Sequence, residues 1–132
     1  MREFNLLGDL FEFAVCYCLK DADETFDLFL ACGLAKKFEK GELTNYTGQT
    51  LFCEIYQLSG RPTPPMSLRF FLNNTEEYWA GQLMDCYRQK YKLSLKEIRA
   101  KFSFNDFLSL YHQKQEKSFA EVAFILEKTK NK

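Results

Sequence analysis

Asn74-Thr-Glu-Glu-Tyr-Trp-Ala-Gly-Gln-Leu-Met-Asp-Cys-Tyr-Arg-Gln-Lys-Tyr-Lys92 is the stretch that decides the fold class. Trp79, Leu83, Cys86, Tyr87 and Tyr91 recur at the three- and four-residue spacing of one helical face, and Asn74 with Glu77 has the form of a capping box. The spacing predicts a helix from about residue 74 to Lys92. On its C-terminal side the same grammar repeats: Ser94 with Glu97, Ser103 with Asp106, and Ser118 with Glu121 each put a hydroxyl ahead of a helix and a carboxylate near its positive end. Three short helices should follow one another there, and Lys128 to Lys132 should fray.

The upstream half carries the same period. Leu6, Leu10, Phe13 and Tyr17 form a stripe over residues 5–20. Asp21 caps a second helix bearing Phe26, Phe29, Leu30 and Leu34, which Gly33 or Gly41 should break. Thr47 caps a third, with Leu51, Ile55 and Leu58 in one row, ending at Gly60. The three prolines of residues 60–67 lack amide protons and cannot continue a helix, so this run is a connector. Leu68 to Leu72 reads as a short strand or a helical turn, with the turn favoured. The whole predicts an all-α chain, residues 1–132 forming a single compact domain of about six to seven short helices.

With 132 residues and a 46% hydrophobic share, the chain can bury one core without disulfides or metal. Eighteen Lys and Arg balance 18 Asp and Glu, so no global field draws nucleic acid or an anionic membrane. Asp9 and Glu12 interrupt the first apolar segment before a signal-peptide core could form, and no apolar run is long enough to span a bilayer. A cytoplasmic protein without membrane contact is expected. The odd number of cysteines, Cys16, Cys18, Cys32, Cys53 and Cys86, lie in apolar patterns and read as buried reduced thiols.

No catalytic, cofactor or metal motif emerges. Cys16 and Cys18 lie two apart on a helix and point to opposite sides, so they cannot share one metal. Cys86 with His112 as base is a formal nucleophile pair, but the apolar row holding Cys86 argues for an inert thiol. Glu76 and Glu77 suit a helix N-terminus better than acid–base work. Residues 94–113 have the rhythm of a degenerate helix-turn-helix, yet the second helix would present Asn105, Asp106, Ser109 and Gln113 and no cation, leaving phosphate contact to Lys96, Arg99 and Lys101. Nucleic acid is therefore disfavoured as a partner. Tyr78, Trp79, Tyr87 and Tyr91 cannot share one narrow stripe. Beside Arg88 and Lys90, exposed members of the set would form an anchor surface for a protein partner; the alternative, which weighs more, is that the rings fill a small core and turn only their polar tips to solvent.

Glu76-Glu77-Tyr78-Trp79-Ala80-Gly81, Cys86-Tyr87-Arg88-Gln89, Leu95-Lys-Glu-Ile98 and the upstream run Asp27 to Gly41 together resemble a family of small uncharacterised helical proteins of gut Firmicutes. The chain departs from that pattern at Gln82, where tryptophan is usual, and at Arg88, where tyrosine is. The resemblance carries no assigned activity and no catalytic residues; it implies a bacterial accessory protein of mobile-element or toxin–antitoxin-like neighbourhoods. The expected function is thus non-enzymatic protein–protein binding, with DNA-binding regulation through 94–113 second and a small enzyme third.

Overall fold

The computed structural model describes residues 4–63, 75–113 and 116–130. The helices are α1 (Leu6–Glu12), α2 (Ala22–Ala31), α3 (Leu34–Glu39), α4 (Gly48–Leu58), α5 (Glu76–Tyr91), α6 (Leu95–Lys101), α7 (Phe104–Leu108) and α8 (Phe119–Lys130). Among the described residues there is no strand, and the fold is all-α. The expected strand or turn at 68–72 and most of the connector lie outside the described residues; residues 61–63 have no regular structure.

Helix α1 is the buried axis. Every residue from Leu7 to Ala14 is buried, and α1 packs most extensively on α5 and then on α4. The contact with α5 is backbone against backbone. A methyl group on Gly81 would come within 2.6 Å of the Gly8 Cα, and one on Gly8 within 2.7 Å of the Tyr78 carbonyl oxygen. Two glycines thus set how closely the helices approach, and Leu7, Leu10, Leu83, Met84 and Tyr87 belong to the core around them.

Four carboxylates then fasten helix starts to the rest of the fold. Buried Asp9 accepts from the Gly48 N–H, the first of α4, at 2.7 Å. Glu39 accepts from the Leu95 N–H opening α6 at 2.5 Å, and Asp23 from the Phe104 N–H opening α7 at 2.7 Å. Buried Glu12 accepts a hydrogen bond from the hydroxyl of Thr75, the residue that caps α5, at 2.8 Å. Each acid sits where a helix has unsatisfied amides and the positive end of its dipole.

Several sequence expectations shift in detail. The cap of α5 is Thr75, whose Oγ1 accepts from the Tyr78 N–H at 3.1 Å, one residue after the expected Asn74. The first helix ends early: after α1 the hydrogen bonds widen to a π-helix over Phe13–Tyr17, and Leu19 turns left-handed at φ 56°. Both upstream glycines act as breaks. Gly33 (φ 89°) separates α2 from α3 and Gly41 (φ 76°) follows α3, conformations that a side chain would strain. The C-terminal helix runs to Lys130, beyond the expected onset of fraying. The five thiols form no disulfide and are not deeply buried: Cys16 is exposed and the other four are half-buried.

Candidate functional site

Helix α5 organises the face of the molecule that sequence reasoning singled out, but with its sides exchanged. Tyr78 and Tyr87 are fully buried and Trp79 is 5% exposed. The Tyr78 hydroxyl oxygen accepts from the Asn5 N–H at 2.7 Å, fixing the start of α1. Trp79 stacks on Phe119 of α8 at 5.7 Å between centroids and meets Tyr111 edge-on at 5.5 Å. Tyr87 packs edge-on against Phe102 and Phe107 and donates a short hydrogen bond to Glu127 of α8. These three residues cannot be partner anchors on this fold. They are the core that holds α8, α7 and the start of α1 to α5.

Arg88 and Tyr91 stay partly exposed, and both are engaged. Arg88 forms a two-nitrogen ion pair with Asp85, 2.8 and 3.1 Å, and its guanidinium stands 5.0 Å from the Phe38 ring centroid. Tyr91 leans on Tyr87 at 5.0 Å. Arg88 therefore has a structural use, since the ion pair ties Asp85, which also accepts from Asn5 Nδ2 at 3.1 Å.

The surface on α5 is the side that carries few aromatics. Gln82, Asp85, Cys86, Gln89 and Lys90 form one wall of an open cleft of about 560 Å³, with Phe119 and Ala120 of α8 opposite and Asn5 at one end. A volume of this order suits a small ligand or a few side chains of a protein segment. Cys86 is thus a cleft residue and not a core one, although burial still raises its pKa, with the Asp85 carboxylate adding and Lys90 opposing. Beyond Ala120, one turn along α8, Phe124 is 49% exposed. The Lys90 ammonium stands 5.8 Å and the Lys128 ammonium 5.1 Å from its ring centroid, and Lys90 donates to the Ala120 carbonyl at 3.2 Å. Such cation–ring contacts are favourable even when exposed.

Sequence reasoning missed this cleft because Gln82, Asp85 and Gln89 look like an ordinary solvated face. One signal was available: Phe124 lies outside the apolar row Phe119, Val122, Ala123, Leu126 of its helix.

The other sequence candidates are placed as follows. Helix α7 has five residues, two of which, Phe104 and Phe107, are buried. It is too short to lie along a groove of DNA. Lys96 and Lys101 are exposed, but Arg99 donates to Asp27 at 2.8 Å and to the Phe102 carbonyl at 3.1 Å, with Asp21 and Asp23 adding negative field. The three cations expected at phosphates thus do not act as a set. His112 is exposed on a 3₁₀ turn, its ring nitrogens facing the Ser109 carbonyl at 3.0 Å and Gln113 at 3.2 Å, and it does not meet Cys86. The Cys16 thiol donates to Glu77 at 3.3 Å; partial desolvation and then the Glu77 carboxylate push its pKa up to about 12, which suppresses the thiolate. Among the described residues no group of three His, Cys, Asp or Glu side chains converges on a metal position. Nor is any helix among them long and apolar enough to cross a membrane. No protein-family model, curated protein or solved structure matches the chain.

Proposed function

We propose that this chain is a non-enzymatic bacterial accessory protein that acts in the cytoplasm by binding another protein through the α5–α8 cleft. One observation carries the reading: a half-exposed aromatic ring, Phe124, stands 5.8 Å from the ammonium of Lys90, which lines a cleft whose walls mix amides, a carboxylate, a thiol, a lysine and Phe119. A large apolar side chain held at a surface between polar groups is the composition of an interface anchor with its rim. The accessory role follows the resemblance of residues 27–41, 76–81, 86–89 and 95–98 to the gut Firmicutes family.

The test is comparative capture. Full-length protein and its Phe124→Ser variant, matched for far-UV circular dichroism, are used as baits in lysate of the native cell after nuclease treatment. A protein retained in near-stoichiometric amount by the wild type and depleted about thirtyfold or more by Phe124→Ser supports the reading, since an aromatic anchor contributes about 2 kcal/mol or more to an interface. Equal retention by both baits removes the cleft from the account.

A further inference from the structure

We propose that the outer face of α8 is a homodimer interface, on which Phe124 packs against Phe124 of a second, antiparallel copy of this chain. The inference rests on the reading of Phe124 as a protein anchor and names what covers it. Glu121, Phe124 and Lys128 are exposed, whereas Val122, Ala123 and Leu126 of the same helix are buried. Steps of three and four residues put the exposed three on one ridge that points away from the core. The ridge has an acid at one end, a base at the other and a half-exposed ring between them.

These charges select both the occupant and its direction. Glu121 accepts from the Ser118 N–H at 3.0 Å, a neutral donor, and so keeps its charge; the Lys128 ammonium stands 5.1 Å from the Phe124 ring centroid. Beside the ridge Lys90 faces the same ring and Glu127 accepts from the Tyr87 hydroxyl, so these two bases and two acids leave the face without a dominant sign. Such a face suits a partner of equally mixed charge, which a second copy is. A two-fold axis across α8, placed midway between Glu121 and Lys128, falls half a residue beyond Phe124. It sets Glu121 of each copy opposite Lys128 of the other, in two ion pairs about 10 Å apart along the helix, and brings the two rings together between them, offset by about 1.5 Å. A parallel pair would instead set Glu121 against Glu121 and Lys128 against Lys128, and like charges in register repel. The same patch thus serves both copies, as a closed two-fold interface requires. Charge here fixes register and orientation more than it adds affinity. A ridge of three residues with its flanks covers less than a standard interface, so the dimer is weak, with a Kd on the order of 100 µM.

The experiment is analytical ultracentrifugation of the purified full-length protein from about 5 µM to about 1 mM, a range that brackets the expected Kd. Reductant is present throughout, because exposed Cys16 could otherwise link two copies by a disulfide. The wild-type average mass should rise with concentration toward that of a dimer. Phe124→Ser, Lys128→Glu and Glu121→Lys, each matched to wild type by far-UV circular dichroism, should associate roughly tenfold or more weakly. An equimolar mixture of Lys128→Glu with Glu121→Lys should associate again, since the mixed antiparallel pair has opposite charges facing at both ends. Lys128→Glu and Phe124→Ser leave the cap of α8 in place, so the test stands even if Glu121→Lys loosens that helix. A wild type that is monomeric at the highest concentration overturns the dimer. Association that survives Phe124→Ser overturns this ridge as its site. Failure of the mixture to associate, with both single variants folded and monomeric, overturns the antiparallel pairing. A monomeric wild type that still captures a different protein through Phe124 loses only the dimer and leaves the protein-binding reading in place.

Discussion

Gly8 and Gly81 do the most for this fold per atom. Their Cα atoms let α1 and α5 touch backbone to backbone, so Gly81→Ala forces a methyl into Gly8 and should cost about 3 kcal/mol, because backbone cannot move aside as a flexible side chain can. Gly33 is the internal control. Its left-handed φ strains an alanine, but the space around it is open, so Gly33→Ala should cost only about 1 kcal/mol. Urea unfolding of both variants checks the order, and equal losses would mean that the α1–α5 contact is looser than described. The Cys16 thiol offers a second test at this scale. Glu77→Gln removes the carboxylate that, after desolvation, holds the thiol up at about 12, so Cys16 alkylation at about pH 9 should quicken several-fold without reaching the rate of an unhindered cysteine. An unchanged rate would leave desolvation as the whole cause. Nothing in the sequence pairs residue 8 with 81 or 16 with 77, since only the packed fold brings them together.

Local chemistry made the elements legible. Ser94 and Glu97 exchange hydrogen bonds at 2.9 and 3.1 Å, Ser118 and Glu121 at 3.0 and 3.2 Å, and Asp21 accepts from the Glu24 N–H at 2.9 Å, each as its four-residue spacing implied. A cap is read from neighbours in sequence and needs no tertiary knowledge. The π-helix at Phe13–Tyr17 is the opposite case, because no residue type demands its wider hydrogen bonding and the surrounding core selects it. The caps also carry a pH signature. The Ser94 backbone N–H, and then its hydroxyl, hold the Glu97 carboxyl below its ordinary 4.5. A depressed acid contributes stability above that unfolded value and loses it as pH falls through the folded one, so the contribution should fade on the acid side of about 4.5. The urea midpoint of Glu97→Gln should accordingly fall less steeply with acid than that of the wild type. Parallel curves would show that this cap does not titrate with folding. Ser94→Ala, which removes the hydroxyl, should cost about 1 kcal/mol at neutral pH.

On the scale of the whole molecule, the all-α class and the succession of helices followed from periodicity and caps, whereas their arrangement depends on contacts far apart in sequence. Asp9 with Gly48, Glu39 with Leu95 and Asp23 with Phe104 join helices 39, 56 and 81 residues apart, and each acid alone reads as a surface charge. The division of the α5 aromatics between core and surface was not legible for a related reason. Helix α5 has apolar or aromatic residues on most of its circumference, and a helix packed by α1, α7 and α8 can bury nearly all of them. Periodicity alone could not show that Tyr78, Trp79 and Tyr87 would be enclosed or that Gln82, Cys86 and Gln89 would face a cleft.

That exchange of faces is the centre of the account, and the chain contains one tryptophan to report on it. The most direct measurement is acrylamide quenching of Trp79 fluorescence in the purified protein, with urea-unfolded protein as reference. Enclosed against Phe119 and Tyr111, Trp79 should emit to the blue of free tryptophan and be quenched several-fold less efficiently than in the unfolded chain. Emission at the free wavelength with quenching equal to the unfolded reference would contradict the account, returning Tyr78, Trp79 and Tyr87 to the surface and dissolving the cleft they now support.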